Sequence, residues 1–318
     1  MEPMLNATVC TLCENDYHYG VGVLTNSLYQ RGFRGVMWVG YRGKLPSWAE
    51  SGKPVKNYRE LSIGEDCFIR FVEVDTPKHF AFYKPDFMWK ILQQYAPEVD
   101  AVFYFDPDIV NKAHWNFYQR WVQRGIAICG DCWYLVAAND PRRLAWQDFA
   151  ESQGFICQRD LEYHYNSGFI GVHRNHCHFL ALWQKLIETG GEQKISNLNT
   201  FDNDDYTDSY PYLYSDQTYM NLALMLSTEP LSTIGPEGMD FLPGGTIMSH
   251  AIAPNVKPWR KKFIRSVLDG IAPTITDKLY WQNSQTPIQL YSSIKHKQQK
   301  LALLVASAIG RFMRRPVM

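Results

Sequence analysis

Through the first third of the chain, short apolar runs exchange regularly with segments of helical apolar rhythm, and this alternation constrains the fold more than any other feature. Ala7 to Cys13 (ATVCTLC) reads as a buried strand, short, β-branched and apolar. Turn chemistry at Glu14, Asn15 and Asp16 ends it, and Gly20 to Tyr29 follows with helical spacing. Gly35 to Tyr41 (GVMWVGY) and Cys67 to Val74 read as further strands. Lys84-Pro85-Asp86 opens a helix, with proline at its first position and an acid in its first turn. Phe87, Ile91, Leu92 and Tyr95 form that helix's apolar stripe. Asp100 to Phe105 (DAVFYF) is almost wholly apolar, the signature of a strand buried on both faces. Strands that alternate with helices predict an α/β fold, a mostly parallel sheet covered on both sides. Such sheets bind ligands beyond the carboxyl ends of their strands, so the residues after Cys13 and Phe105 are the first places to seek chemistry.

The pattern loosens downstream. Ile126 to Cys129 and Phe169 to His173 read as strands, and His176 to Ile187 and Asp216 to Leu226 as helices. Residues 190–215 form an acidic insertion, with Asp202, Asp204, Asp205 and Asp208 among Tyr206, Tyr210, Tyr212 and Tyr214. The expected organisation is one α/β domain over 1–265, interrupted by this insertion, and a helical C-terminal region over 266–318. Lysine plus arginine equals aspartate plus glutamate at 32 each, so no global field draws the chain to nucleic acid. The first residues carry no basic stretch leading into an apolar run, and no apolar segment nears the roughly 20 residues a bilayer demands. Seven scattered cysteines suit a reducing compartment better than a disulfide framework, and a cytoplasmic location is expected.

The sharpest chemical signal is Asp106-Pro107-Asp108, placed directly after the apolar strand. In extended chain, residues i and i+2 point the same way, and their charges repel unless a cation sits between them. Carboxylate oxygens of this kind suit Mg2+ or Mn2+, which fills its shell with substrate phosphates and water. A surface turn of Asp-Pro-Asp is the alternative reading of the triplet alone.

With that triplet, the chain resembles glycosyltransferases of the GT-A (Rossmann-like) fold, family 8 in particular, which includes glycogenin and bacterial lipooligosaccharide galactosyltransferases. Four segments carry the resemblance in the family's order. Thr11-Leu12-Cys13-Glu14-Asn15-Asp16-Tyr17 is similar to the opening strand and loop that holds uracil and ribose, which implies nucleotide contacts at Thr11, Leu12, Asn15 and Tyr17. Asp106-Pro107-Asp108 resembles the family's metal-binding DxD triplet. Asn166-Ser167-Gly168 resembles its Asn-Ser-Gly strand beside the donor sugar. His250 with Lys257-Pro258-Trp259 resembles the closing segment, in which a histidine completes the metal site and a lysine meets the diphosphate. By spacing within the family pattern, Lys90 is placed near the donor phosphates, and Asp216-Gln217 is similar to its Asp-Gln at the sugar. The segment after His250 departs from the family: it lacks a glycine and runs one residue long to Lys257.

The resemblance implies a metal-dependent hexosyltransferase that takes sugar from a nucleotide diphosphate, UDP favoured, to a glycan or lipid-linked acceptor in polysaccharide or lipopolysaccharide synthesis. Mn2+ or Mg2+ would be held by Asp106, Asp108 and His250, while Asp216, Gln217 and Asn166 face the reacting sugar. Each residue also has a plainer reading. His250 could be structural, Lys90 a solvated helix face, Asn166 a turn residue and Asp216 a helix cap. Cys10-x-x-Cys13 with Cys129-x-x-Cys132 suggests zinc, but both pairs read as lying in or at the ends of buried strands, where cysteine behaves as a small hydrophobe. At the C-terminus, Lys295, Lys297 and Lys300 precede the apolar run Leu301 to Ala306, and Arg311, Arg314 and Arg315 follow. A helix over 295–315 with such flanks fits docking on an anionic membrane surface at the inner face of the cell membrane; packing on the domain is the alternative. Two rival functions remain at this stage, a nucleotidyltransferase on a related sheet and a catalytically idle scaffold.

Overall fold

A computed structural model describes residues 5–200, 215–252 and 256–313. Most of the acidic, tyrosine-rich insertion, together with Arg314 and Arg315, lies outside these described residues. The chain opens β1 (Ala7–Glu14), α1 (His18–Gln30), β2 (Gly35–Arg42), β3 (Lys53–Val55), β4 (Tyr58–Gly64), β5 (Cys67–Glu73) and α2 (Lys84–Lys90). It continues through β6 (Ala101–Phe105), β7 (Ile109–Asn111), α3 (Trp115–Val122), β8 (Ile126–Leu135), α4 (Pro141–Ser152) and β9 (Tyr163–His173). Then follow α5 (His178–Glu192), α6 (Asp216–Leu226), β10 (Leu231–Ile234) and β11 (Met248–His250). Three helices close the chain: α7 (Phe263–Leu268), α8 (Ile275–Gln282) and α9 (Ser293–Met313).

Nine strands form one sheet in the order β10-β8-β9-β6-β1-β2-β5-β4-β3. The pairings make only β9 and β4 run against the rest, so the sheet is mixed but mostly parallel, as the alternation predicts. One face is covered by α2, α5 and α6, through Phe87, Met88, Trp183, Leu186 and Met220. The other packs on α1 and α3, through Val21, Leu24, Leu28, Trp115 and Tyr118. This is a Rossmann-like α/β layering with β6 and β1 central, which explains why DAVFYF carries no charged side chain after its first residue. The β3–β4 hairpin at the sheet's edge has no counterpart in the sequence reading, because its half-buried residues (YRELSIG) show no clean alternation.

Period-2 alternation in β1 sends Cys10 and Leu12 to one core and Val9 and Cys13 to the other. Cys10 and Cys13 therefore point to opposite sides of the sheet, which removes them as joint ligands of one ion. Burial pushes the Cys13 thiol up to about 12. The C-terminal helices share a core with the sheet domain: Phe263, Val267, Trp281, Leu303 and Ala306 pack with Val23 of α1 and Val110 of β7. Asn26 of α1 also donates to the Asn283 and Ile288 carbonyls.

Candidate metal centre

Beyond β6 the chain turns through Asp106 and Pro107, then re-enters a short pairing as β7, which runs antiparallel to β11. The register sets His250 opposite Ile109, next to Asp108, and the Ala251 N–H donates to the Asp108 carbonyl at 3.2 Å. Backbone pairing alone therefore delivers a histidine some 140 residues distant in sequence to the acidic triplet. His250 Nε2 lies 3.2 Å from Asp108 Oδ1 and 3.7 Å from Asp106 Oδ2. One ligand atom from each of Asp106, Asp108 and His250 falls within 4.8 Å of the others. Two hard carboxylate oxygens and an imidazole nitrogen form a donor set that suits Mn2+ and related divalent ions.

Gly168 stands against the cluster so closely that a Cβ there would meet His250 Cε1 at 2.4 Å and Asp106 Oδ2 at 2.8 Å. Only a residue without a side chain leaves room between His250 and Asp106. The Asp106 N–H donates to the Gly168 carbonyl at 2.6 Å, which fixes that strand against the triplet. His250 Nδ1 is buried and has no protein partner. Were the cluster to hold a divalent cation, Gly168→Ala is expected to lower its affinity by about 10–100-fold. Its backbone conformation is one any residue adopts, so the fold should survive; titration calorimetry and melting together would check both halves.

Two lysines, Lys84 buried and Lys257 half-buried, attend the carboxylates. Lys257 Nζ donates to Asp108 Oδ2 and to the Ala251 carbonyl, and lies 5.9 Å from the Tyr17 ring. Lys84 Nζ sits 3.2 Å from Asp106 Oδ1 and 3.0 Å from Asp216 Oδ2, and also reaches the Ser167 carbonyl. Burial on its own would raise the Asp108 carboxyl, but His250 and Lys257 outweigh it and hold that group well below the usual carboxylate range. Burial likewise works against a charged Lys84, yet Asp106 and Asp216 hold its ammonium above the ordinary lysine value. Three carboxylates thus face two ammonium groups, a formal excess of one negative charge that attracts a cation.

Around this cluster lies a cleft of about 610 Å³. Its wall includes Leu12, Tyr17, Lys84, Asn166, Asp216, Gln217 and Lys257. Ser215, not Asp216, caps α6 by accepting from the Thr218 N–H, which leaves the Asp216 carboxylate to accept from Ser167 Oγ at 2.7 Å. Gln217 Oε1 accepts from the Ser167 N–H at 3.2 Å. Asn166 donates to Asp131 Oδ1 at 2.8 Å and accepts from the Gly168 N–H at 2.9 Å, so the plain turn reading misses its link to Asp131.

Three expectations need correction. Lys90 donates to the Tyr83 hydroxyl at 2.7 Å and is not part of the cleft wall; Lys84, one and a half turns earlier on α2, holds that place. Thr11 is fully buried on the β1 face opposite Leu12, as strand alternation requires, with its hydroxyl unpartnered. Asn15 is exposed in a 3-10 turn with φ of 53°, away from the cleft wall, a conformation asparagine tolerates well. The sequence reading also missed Tyr104, which shares Asp106's side of β6 and donates to its Oδ1 at 2.9 Å. No protein-family model and no curated protein matches the chain.

Proposed function

We propose that this protein is a metal-dependent glycosyltransferase of the GT-A kind, which moves a hexose-type sugar from a nucleotide diphosphate to a glycan or lipid-linked acceptor. The observation that carries this reading is the convergence of Asp106, Asp108 and His250 with Lys84 and Lys257 at the carboxyl edge of a central strand. A departing diphosphate needs cationic partners, and this cluster supplies the means to bind a metal and two ammonium groups. Bound Mn2+ or Mg2+ would neutralise charge on the leaving diphosphate as a Lewis acid. Leu12 and Tyr17 would receive the nucleotide, and UDP is favoured through the family resemblance alone. Lys257 would turn from Asp108 to a diphosphate oxygen. Asp216, Gln217 and Asn166 would face the reacting sugar, and Lys84 keeps the Asp216 carboxylate paired and aimed. If the anomeric configuration is retained, as the resemblance implies, the acceptor hydroxyl can pass its proton to the departing phosphate.

Incubation with Mn2+ and a panel of UDP-, GDP- and dTDP-sugars tests the reading. Slow, metal-dependent sugar release without acceptor supports it. Pyrophosphate release would instead indicate nucleotidyl transfer, and absence of both turnover and donor binding would indicate a scaffold.

A peripheral membrane contact at the inner face of the membrane belongs to the same proposal. None of the described helices is long and apolar enough to cross a bilayer. Helix α9 packs inward through Leu303 and Ala306, while Ile294, Leu301, Leu304, Val305 and Phe312 are exposed. Those five positions repeat at helical spacing on one stripe, beside Lys295, Lys297, Lys300 and Arg311. Packing and membrane docking are thus compatible, one on each side of the helix. Leu301→Asp with Leu304→Asp should cut sedimentation with phosphatidylglycerol vesicles by about tenfold or more. Equal sedimentation of variant and parent would remove the contact.

A further inference from the structure

We propose that Trp133 is the stacking platform for a pyranose ring of the acceptor, seated at the cleft mouth on the side away from the nucleotide. The proposal rests on the glycosyl-transfer reading and adds what the acceptor must present to the enzyme.

Tryptophan is rarely left in water, and here the other nine of the ten are buried or half-buried. Trp133 is 79% exposed, yet it forms part of the wall of the metal cleft. Local structure puts it there. Strand β8 loses its register with β9 between Gly130 and Leu135. Within that break Asp131 turns inward, buried, to accept from Asn166, and the following residues Cys132 and Trp133 emerge. The backbone that carries Trp133 is therefore anchored, two residues earlier, to an amide on the cleft floor. Beyond it, exposed Leu135 pairs in register with Tyr163, which extends an apolar lip along the sheet edge.

Position in the sheet separates this ring from the nucleotide end. Tyr17 and Lys257 gather at the end of β1, and the metal cluster at the end of β6. Strand β8 lies two places from β6 and three from β1, or about 10 and 14 Å at ordinary strand spacing. A nucleotide diphosphate laid from β1 to the metal leaves Trp133 on the sugar side. Chemistry then selects the ligand. An indole face carries negative charge density that attracts the weakly positive C–H bonds lining one side of a pyranose. Asp216, Gln217 and Asn166, on the same wall, hold oxygen and nitrogen atoms suited to sugar hydroxyls. An acyclic polyol offers the same hydroxyls but no flat C–H face.

Fluorine NMR of 5-fluorotryptophan-labelled protein tests the idea, with the Trp133 resonance assigned by its loss in Trp133→Phe. The probes are methyl α- and β-glucopyranoside, methyl β-galactopyranoside and lactose, with mannitol as the acyclic control. A saturable shift of the Trp133 line with at least one pyranoside and none with mannitol is expected. A line unmoved across the panel, or moved equally by mannitol, overturns the proposal. In transfer assays with the best-binding pyranoside as acceptor, Trp133→Ala should raise acceptor KM by about tenfold while donor KM stays put, and Trp133→Phe should restore most of the loss. A rise in donor KM instead would assign the ring to the donor and also overturn the proposal. If metal-dependent donor turnover is absent altogether, glycosyl transfer fails, whereas the NMR titration still reports whether Trp133 stacks a sugar.

Discussion

Asp106→Asn is expected to lower metal-dependent donor turnover by on the order of 1,000-fold, or about 4 kcal/mol of transition-state stabilisation. The substitution keeps the shape of the side chain and removes its charge. Asp106 is the least buried of the three candidate ligands, at 22% side-chain exposure. Its lysine partner keeps a second carboxylate, because Lys84 also pairs with Asp216. The fold should therefore lose only about 1 kcal/mol, the ordinary cost of weakening a charged hydrogen bond. Stability and turnover thus separate in this variant. Asp108→Asn is a less clean test, since Lys257 and His250 both depend on that buried carboxylate. Turnover near the parent value in Asp106→Asn at saturating Mn2+ would take the triplet out of the mechanism.

Lys84→Met should damage stability as well as chemistry. The ammonium is buried between Asp106 and Asp216, and its loss leaves two carboxylates near each other without a counter-charge. Breaking a buried ion pair from one side costs about 3–5 kcal/mol, which for a chain of 318 residues corresponds to a Tm lower by about 4–7 °C. The pH dependence gives a second reading. Asp106 and Asp216 hold Lys84 above the ordinary lysine value. A raised lysine stabilises the fold fully below its unfolded pKa and loses that contribution only as pH rises through the folded value. Across the neutral range the contribution is therefore complete. The deficit of the variant against the parent should therefore hold through the neutral range and shrink as pH rises past the ordinary lysine value toward the raised one. A deficit that stays constant through that alkaline range would mean the lysine acts by packing and not by charge. Thermal melts of both proteins across the interval decide the point.

Much of this arrangement was legible in the residues themselves. DAVFYF followed by two acids placed a charged turn at the carboxyl edge of a buried strand, and the β6–β7 geometry bears out that placement. Helix starts were equally plain where capping and proline marked them, as at Lys84-Pro85-Asp86. What failed was choice among residues on one element. Spacing favoured Lys90, but the side chain that reaches the cleft belongs to the helix's first residue. A signal was present: a lysine at a helix N-terminus opposes the macrodipole and demands a compensating carboxylate. The deeper obstacle is non-local. Nothing near His250 reveals that Met248–His250 pairs with Ile109–Asn111; that contact is a property of register, visible only once both strands are placed. Thr11 failed for the simplest reason, since in an extended chain neighbours face opposite ways and, of Thr11 and Leu12, Leu12 is the one that lines the cleft.

Diffraction at the manganese edge from crystals grown with Mn2+ and a nucleoside diphosphate addresses the central claim most directly. An anomalous peak at coordination distance from Asp106, Asp108 and His250, with the diphosphate completing the shell and Lys257 turned toward it, is the expected result. A nucleotide bound in the cleft with no anomalous signal between those three side chains, or an ion bound elsewhere, would contradict it.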